Sequence, residues 1–310
     1  MEKAHLSLLE WFAKEGRHDL PWRTTTDPYR IYLSEVMLQQ TQVERVVGYY
    51  ERFLKRFPTL SSLAHADLDE VLALWSGLGY YKRARNLHAT ARICGLKLPK
   101  EYHALRKLPG IGEYTASAIC SFAYHQPIAV VDTNISRVLG RLFATHTPKK
   151  VAQEFLNTSH PKKHNLALMD LGALVCKPSD PKCDRCPLHA FCQGKEDPAS
   201  YTKRSSQKRQ KKELHLALWI EDGQIALRRS GQRLYQGLLS LPPADPAPNP
   251  IASFRHSYTK YDITIYLHRQ RPQSPIEWIR LDQLHQAPIN AIVRKALTLP
   301  KLSISFANLP

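Results

Sequence analysis

The sequence predicts a mainly α-helical first part followed by a small α+β domain that is rich in strands. In residues 1–193 the apolar residues recur at helical spacing, between capping residues and helix-ending glycines. In residues 213–310 they alternate, most clearly at 216–220 and 262–267. Residues 194–212, between the two parts, are polar, basic and without apolar periodicity, which is typical of a linker.

Length and composition limit the class of protein. A chain of 310 residues with 43% hydrophobic residues is long enough for two domains that each bury a core. Lysine and arginine number 44 against 27 acidic residues, and the net charge of +17 is typical of a protein that binds nucleic-acid phosphates. No stretch approaches about eighteen apolar residues, the length that crosses a membrane. We therefore expect an intracellular monomer without a membrane partner, cytoplasmic and nucleoid-associated if the protein is bacterial.

Short sequence signals locate the helices of the first part. Asp27 and Pro28 suit the N-cap and the first position of one helix, and Thr41 and Glu44 suit a capping box for the next. This leaves Gln40 at a break between two helices. The predicted helices span residues 29–38, 42–57, 68–76, 80–94, 102–107, 113–124, 133–142 and 165–175.

Four of the six cysteines stand within seventeen residues near the end of the first part. Thiolates this close together are typical of a metal centre, and a tetrahedral thiolate set suits either a four-iron cluster or zinc. Zinc ribbons usually have two short Cys-x2-Cys pairs, whereas only Cys183 and Cys186 form one here. Two disulfides are the other alternative, but nothing in the sequence is typical of a secreted protein. The four cysteines are Cys176, Cys183, Cys186 and Cys192.

A second motif, LPGIG at residues 108–112, lies between two predicted helices. Its glycines allow the backbone to approach a ligand closely, and the free amides of the following first helical turn attract an anion. An ordinary glycine-containing turn has the same short pattern. The basic composition and the cysteine group favour a helix-hairpin-helix, in which Gly110, Ile111 and Gly112 contact a DNA phosphate.

With these motifs in place, the chain resembles the helix-hairpin-helix DNA glycosylases of the endonuclease III superfamily. That family places a catalytic aspartate shortly after the hairpin and four cysteines downstream, and Asp132 and Cys176 follow in that order here. Within the superfamily, the chain is similar to the adenine glycosylases of the MutY type. The strings that carry the similarity are LPWR at 20–23, LSEVMLQQTQV at 33–43, WSGLGYY at 75–81 and MDLGA at 169–173.

The resemblance spans residues 6–193 and implies a helix-hairpin-helix DNA glycosylase fold. It implies a catalytic domain at 1–193, with a six-helix part at 28–128 and a cluster-bearing part made of 1–27 and 129–193. It also favours a [4Fe-4S] cluster over zinc. The implied activity is that of a monofunctional adenine glycosylase of base excision repair. The implied partner is double-stranded DNA with adenine opposite 8-oxoguanine or guanine.

Two carboxylates suit the chemistry of that activity. Hydrolysis of a purine N-glycosidic bond requires an acid that protonates the departing base and a carboxylate that faces the cationic sugar. By resemblance, Glu35 protonates adenine N7, and Asp132 stabilises the sugar cation or captures it covalently. Glu35 lies in an apolar helical stretch, where burial would raise its pKa. Asn134 is the implied companion of Asp132, and Tyr114 stands where bifunctional relatives carry a Schiff-base lysine.

The resemblance also implies residues that open the duplex and hold the extruded base. Gln40 and Tyr80 match the intercalating residues of the family. His18 and Leu166 stand where relatives usually carry a basic residue and a Gln or Glu, so the polar contacts to the base are expected to differ. The implied base pocket consists of Leu20, Trp22 and Arg23. Further expected DNA contacts are Thr41 and, in the cysteine loop, Lys177, Lys182 and Arg185.

Residues 213–310 resemble, more faintly, the Nudix-like domain that recognises 8-oxoguanine in MutY proteins. The match lies at 234–242 and 254–256, and the sequence lacks the Glu-rich Nudix box that binds magnesium. Relatives continue with Phe-Ser-His, whose Ser and His read the lesion. This chain has Tyr258, Thr259 and Lys260 there, and we expect these residues to read the lesion.

Two rival functions remain open at this stage. A thymine or other mismatch glycosylase of the same superfamily can share the tyrosine at position 114, although the string at 33–43 and the C-terminal part favour adenine. A non-catalytic DNA-binding repair factor could keep the fold, but Glu35 and Asp132 are both present.

Overall fold

The computed structural model describes residues 1–201, 209–232, 235–258, 261–273 and 275–300. The chain divides into two compact units. The helical unit consists of Met1–Ser61 with Thr90–Arg204, and the mixed unit consists of Ser62–Ala89 with Ser205–Pro310. Residues 62–89, which lie inside the predicted catalytic domain in sequence, therefore group with the C-terminal strands.

The helices of residues 1–201 follow the predicted order, with one long helix at the start of the chain and two short ones in addition. They are α1 (Glu2–Glu15), α2 (Pro28–Leu38), α3 (Val43–Arg56), α4 (Leu60–Ala64), α5 (Leu68–Leu74), α6 (Lys82–Cys94), α7 (Tyr102–Arg106), α8 (Glu113–Tyr124), α9 (Thr133–Leu142), α10 (Pro148–Ala152) and α11 (Pro161–Leu174). None of the described helices is long and apolar enough to span a bilayer.

Capping explains where two of the helices begin. The Asp27 side chain accepts a 2.8 Å hydrogen bond from the Tyr29 amide, and Pro28 occupies the first turn of α2, as predicted. The Asp132 side chain accepts a 2.7 Å hydrogen bond from the Ile135 amide and caps α9. Both helix starts are therefore encoded by local sequence.

The predicted capping box before α3 is wrong. The N-cap of α3 is Gln42, whose side chain makes no capping hydrogen bond, and the helix begins at Val43. The Thr41 hydroxyl instead donates a 3.4 Å hydrogen bond to the Gln39 carbonyl, within the turn that precedes the helix. The left-handed backbone of Gln40, with φ of 59°, shifts Thr41 out of the capping position.

The segment between α5 and α6 is longer than predicted. Helix α5 ends at Leu74 and α6 begins at Lys82, so the predicted ends at residues 76 and 80 are wrong. Gly77 and Gly79 have φ of 102° and 74°, and Tyr80 has φ of 49°. Left-handed residues cannot continue a right-handed helix, which accounts for the break.

A close helix contact sets the position of α9 in the helical unit. Helix α9 packs against α11. A Cβ atom added to Gly172 of α11 would lie 2.7 Å from the Asn134 Cβ and 3.0 Å from the Asn134 carbonyl carbon. Only glycine allows this approach. The contact brings the N-terminus of α9, which carries Asp132, against α11.

Besides α5 and parts of α4 and α6, the described residues of the mixed unit form two small sheets and a short helix near the C-terminal end. Strand β1 runs parallel to β6, which pairs antiparallel with β5; a second sheet has the order β2-β3-β4, with β7 antiparallel to β3. The elements are β1 (Gln210–Ala217), β2 (Ile220–Glu221), β3 (Gln224–Arg229), β4 (Leu239–Ser240), β5 (Ala252–Tyr258), β6 (Tyr261–His268), β7 (Glu277–Arg280) and α12 (Ala291–Leu297). The expected α+β composition is confirmed in the described residues.

The start of β1 corrects the predicted linker. Residues 210–212 belong to β1, and Lys212 pairs with Ile263 of β6. Their lysine-rich sequence looked like linker because an exposed strand carries no apolar alternation. Residues 202–208 of the predicted linker lie outside the described residues. The predicted strand at 216–220 is divided between the end of β1 and the start of β2.

Candidate active site

A cavity of about 790 Å³ in the helical unit is lined by the residues that the sequence analysis predicted to be catalytic. Its walls come from the segment before α2, from α2 itself, from the turn before α3, and from α8, α9 and α11. Predicted residues that line it are Leu20, Trp22, Arg23, Glu35, Gln40, Thr41, Tyr114, Asp132, Asn134 and Leu166. Residues far apart in sequence therefore share one site.

Glu35 is a buried carboxyl group on α2, and only 5% of the residue is exposed. The pKa of Glu35 is raised to about 7, chiefly by burial and to a smaller extent by the neighbouring Asp132. A hydrogen bond with Tyr114 and the charge of Arg23 act in the opposite direction. A carboxyl group with this pKa can carry and donate a proton near neutral pH.

Asp132 is half-buried at the N-terminus of α9, and both of its oxygens accept hydrogen bonds. Oδ1 accepts from the Ile135 amide at 2.7 Å, and Oδ2 accepts from Asn134 Nδ2 at 3.0 Å. Burial raises the pKa of Asp132, whereas these hydrogen bonds lower it. Asp132 thus combines the helix cap with a carboxylate at the cavity wall.

The Tyr114 hydroxyl forms a hydrogen bond with Glu35. Burial, followed by the charges of Glu35 and Asp132, raises the pKa of Tyr114 well above its usual value. Tyr114 therefore stays a neutral hydroxyl beside two carboxyl groups and can donate a proton in a hydrogen bond to one of them.

Sequence reasoning missed an ion-pair network behind the cavity. Asp170 of α11 is fully buried and accepts hydrogen bonds from Arg17 Nη2 at 2.6 Å and from Arg23 Nη2 at 2.9 Å. It also accepts from the Arg17 amide at 3.0 Å. Among the described residues, Arg23 Nη1 has no hydrogen-bond partner although it is buried. An aspartate in an otherwise apolar helix was the signal that could have revealed this network.

Lys162 also lines the cavity, and the sequence analysis did not suggest it. Its Nζ donates a 2.8 Å hydrogen bond to the Thr25 carbonyl, and burial lowers its pKa. No motif surrounds it in the sequence, so only the fold could place it at the cavity.

The predicted base pocket is mainly apolar. Leu20 and Trp22 are buried, and the Trp22 ring lies edge-on to Tyr50 with centroids 5.3 Å apart. Leu166 contributes an apolar side chain to the cavity wall, at the position where relatives are expected to carry Gln or Glu. His18 is exposed and its Nε2 hydrogen-bonds to the Phe12 carbonyl at 2.7 Å, whereas Arg17 lines the cavity.

The predicted hairpin precedes α8. Gly110 has φ of 73°, and Gly112 occupies the N-cap position of α8 without contributing a side chain. A Cβ atom added to Gly112 would meet nothing within 4 Å, and both glycines are exposed. The Ile111 side chain is buried and anchors the turn. The arrangement presents backbone amides rather than side chains.

The four cysteines line one small pocket with apolar walls that include Val138 and Leu188. Arg141 Nη1 lies 3.3 Å from the Cys176 sulfur, and the Cys192 thiol donates a 3.5 Å hydrogen bond to the Arg141 carbonyl. Within the described residues, no group of three or more His, Cys, Asp or Glu side chains is arranged to hold a metal ion. The thiols are therefore clustered without converging. Of the expected phosphate contacts in this loop, Lys182 and Arg185 are exposed, and Lys177 is half-buried.

In the mixed unit, the rings of Tyr80 and Tyr258 are in contact, with centroids 6.0 Å apart. Tyr258 is the last residue of β5. Thr259 and Lys260, the other two residues expected to read the lesion, lie outside the described residues.

Comparison with known proteins gives a family match over part of the chain. Residues 33–161 match the model described as the HhH-GPD superfamily base excision DNA repair protein. These residues run from α2 to the start of α11 and include Glu35, Tyr114, Asp132 and the hairpin.

Curated relatives match about 60% of the chain. An adenine DNA glycosylase of Buchnera aphidicola subsp. Baizongia pistaciae is 44% identical over 198 residues, which cover 60% of this chain and 56% of that protein. An adenine DNA glycosylase of Rattus norvegicus is 44% identical over 209 residues, which cover 60% of this chain and 40% of that protein. The chain thus spans about half the length of these relatives, or less.

Solved structures have a similar fold. A thermostable thymine-DNA glycosylase is 28% identical with a TM-score of 0.58, over 63% of this chain and 97% of that one. A non-covalent endonuclease III–DNA complex is 22% identical with a TM-score of 0.54, over 61% of this chain and 92% of that one. The fold of the matched part is therefore the helical, endonuclease III-like fold.

Proposed function

We propose that this protein is an adenine DNA glycosylase, and the match of residues 33–161 to the HhH-GPD superfamily of base excision DNA repair proteins supports the proposal. The protein hydrolyses the bond between adenine and deoxyribose when adenine lies opposite 8-oxoguanine or guanine in duplex DNA. The observation that carries the proposal is the pair formed by Glu35, with a pKa raised to about 7, and Asp132 in one cavity. Those are the two groups that glycosidic hydrolysis requires.

In the proposed reaction, Glu35 donates its proton to adenine N7. This makes the base a better leaving group, and the bond between N9 and C1′ breaks with its electron pair moving to the base. The sugar becomes an oxocarbenium ion, which the Asp132 carboxylate stabilises or captures. Water then adds at C1′ and returns a proton to the site, leaving free adenine and an abasic site.

Tyr114 supports the acid rather than attacking the sugar. Its neutral hydroxyl, hydrogen-bonded to Glu35, orients the carboxyl group. A lysine at this place would form a Schiff base and lead to strand cleavage. Lys162, the amine at the cavity, is held by the Thr25 carbonyl. The proposed enzyme is therefore monofunctional.

The cysteine group is proposed to hold a [4Fe-4S] cluster. Four thiol groups line one pocket, which His189 also lines. Only Cys183 and Cys186 form a short Cys-x2-Cys pair, and this spacing fits a [4Fe-4S] cluster better than it fits a zinc ribbon. Cys176, Cys183, Cys186 and Cys192 would be the ligands, and the Arg141 guanidinium lies beside one of them. When bound, the cluster would fix this loop, so that Lys177, Lys182 and Arg185 contact phosphates.

DNA binding is proposed to use both units. The exposed glycines before α8 bind a phosphate through backbone amides. An enzyme that acts on a paired base must extrude it and fill the opened stack. Gln40 and Tyr80 are the proposed intercalating residues. Both have left-handed backbones, and Gln40 is exposed whereas Tyr80 is half-buried. The strands of the mixed unit are proposed to form a Nudix-like domain that reads the opposing base, with Tyr258, Thr259 and Lys260 taking part.

A second candidate function is thymine mismatch repair, which the similarity to a thermostable thymine-DNA glycosylase favours. A four-duplex assay separates the two functions. Adenine or thymine is placed opposite guanine or 8-oxoguanine, and alkali-labile sites are measured under single-turnover conditions. The proposal expects cleavage at adenine in both contexts and none at thymine. Cleavage at thymine alone would reject the adenine glycosylase and support the thymine mismatch glycosylase.

A further inference from the structure

The Tyr80 backbone adopts a conformation that needs support from its surroundings. Its φ is 49°, in the left-handed region, where bulky residues are uncommon outside functional sites. It follows Gly79, whose φ is 74°. Such a residue keeps a defined side-chain direction only if its neighbours hold it there.

Part of that support comes from the segment itself. Trp75 Nε1 donates a 3.1 Å hydrogen bond to the Gly79 carbonyl, and Arg83 Nη2 donates to the same carbonyl at 3.2 Å. The Arg83 guanidinium also lies 5.3 Å from the centre of the Tyr80 ring. These contacts fix the backbone before Tyr80 and place a cation against its ring.

A second contact to the Tyr80 ring comes from the end of a strand. The Tyr258 ring lies 6.0 Å from it, centroid to centroid, with the ring planes inclined by 42°. Tyr258 pairs with Tyr261 across β5 and β6, so its backbone is held in the sheet. Tilted aromatic pairs at this distance attract one another beyond the area they bury. Both rings remain partly exposed.

Two further contacts hold the Tyr80 segment within the mixed unit. Ser76 Oγ donates a 2.9 Å hydrogen bond to the Ile289 carbonyl and accepts one from Arg294 Nη2 at 3.0 Å. Arg229 Nη1 forms a 3.0 Å ion pair with Asp69 of α5. The ring contact is therefore part of a fixed arrangement between residues 62–89 and the C-terminal elements of this unit.

We propose that Tyr258 is a positioning residue, which holds the Tyr80 ring in the direction needed for insertion into the DNA stack beside the opposing base. This inference rests on the proposed function and deepens it. The part that Tyr258 takes in reading the opposing base is then indirect, through Tyr80, rather than by its own contact with the lesion. This role requires an aromatic ring at position 258. The hydroxyl group of Tyr258 is dispensable for it.

A double-mutant cycle tests this proposal. The affinity of the full chain is measured for a duplex with 2′-fluoro-2′-deoxyadenosine, which resists cleavage, opposite 8-oxoguanine. Tyr258→Ala should weaken binding about threefold to tenfold, as expected for loss of an aromatic pair. In the Tyr80→Ala background, the same change should have less than about a twofold effect. Fluorescence of 2-aminopurine next to the opposing base should fall with Tyr258→Ala and stay at the wild-type level with Tyr258→Phe.

Matched variants keep the result interpretable. Trp278→Ala removes an exposed aromatic side chain from β7 of the same unit and should leave the affinity unchanged. If Tyr258→Ala fails to fold, Tyr258→Leu keeps the apolar bulk without a ring and should show the same dependence on Tyr80. Equal weakening in both backgrounds, or none in either, would overturn the proposal. If the wild-type protein binds this duplex no better than a fully base-paired duplex, the proposed function itself has failed.

Discussion

Arg137 Nη2 donates a 2.9 Å hydrogen bond to Asn134 Oδ1, and this bond fixes the orientation of the Asn134 amide. The amide nitrogen consequently faces Asp132 and donates to Oδ2 at 3.0 Å. Arg137 is itself held by the Cys176 carbonyl at 2.7 Å and by the Gly172 carbonyl at 2.6 Å. A continuous set of hydrogen bonds therefore connects the cysteine loop with the proposed catalytic carboxylate.

The first prediction concerns Asn134. Asn134→Ala removes one of the hydrogen bonds that orient Asp132 and should lower the single-turnover rate of adenine release about fivefold to tenfold, the effect of about 1 kcal/mol. Arg137→Met should also lower this rate, because the Asn134 side-chain amide can then rotate away from Asp132. Asn157→Ala, which changes an exposed loop in the same unit, is the control. A wild-type rate in both Asn134→Ala and Arg137→Met would exclude a role for this network.

The second prediction concerns pH and activity. Glu35 must be protonated to act as the acid, and burial raises its pKa to about 7. The single-turnover rate should therefore be highest below pH 7 and should fall as pH rises through about 7, by roughly tenfold per unit above it. Glu35→Gln should reduce the rate about a hundredfold to ten-thousandfold and remove this pH dependence. Glu51→Gln, at an exposed position of α3, serves as the control. A Glu35→Gln rate within tenfold of wild type would reject Glu35 as the acid.

The third prediction concerns pH and stability. The folded-state pKa of Glu35 is raised from 4.5 to about 7, so the folded chain holds this proton more tightly than the unfolded chain does. Between these pH values, rising pH therefore destabilises the fold through Glu35. The total effect of such a shift is about 3 kcal/mol.

Glu35→Gln does not titrate and should escape that loss. Its free energy of unfolding, relative to wild type, should increase between pH 4.5 and about 7. Denaturant unfolding at several pH values measures the difference. A difference that stays constant across this range would mean that Glu35 is not buried as described.

The fourth prediction concerns the metal centre. Purified protein should be brown and contain about four irons per chain, as a [4Fe-4S] cluster requires. Removing iron should loosen the loop that carries Lys182 and Arg185 and should make DNA binding weaker at a fixed salt concentration. Colourless protein that contains zinc would contradict the cluster, whatever its activity.

Several parts of the fold followed directly from local sequence. The bounds of α8 and α9 agree with the predicted ranges 113–124 and 133–142, because the glycines of the hairpin before α8 and the Asp132 cap before α9 are local signals. The start of α3 and the start of β1 did not follow. A turn residue with a left-handed backbone and an exposed basic strand carry no distinct signal in the sequence.

The candidate site was predicted better than its surroundings. Glu35, Tyr114, Asp132 and Asn134 do line one cavity. Asp170 in an otherwise apolar helix was a signal of a buried ion pair. The sequence could not identify Arg17 and Arg23 as its partners, because they lie more than a hundred residues away and only folding brings them together. It also could not reveal that residues 62–89 group with the C-terminal strands.

The identity of the released product decides whether the protein is an adenine glycosylase. A duplex with adenine opposite 8-oxoguanine is incubated with the protein and analysed by mass spectrometry before any alkali treatment. We expect free adenine and an uncleaved strand that carries one abasic site. An unchanged strand, or release of a base other than adenine, would contradict this function.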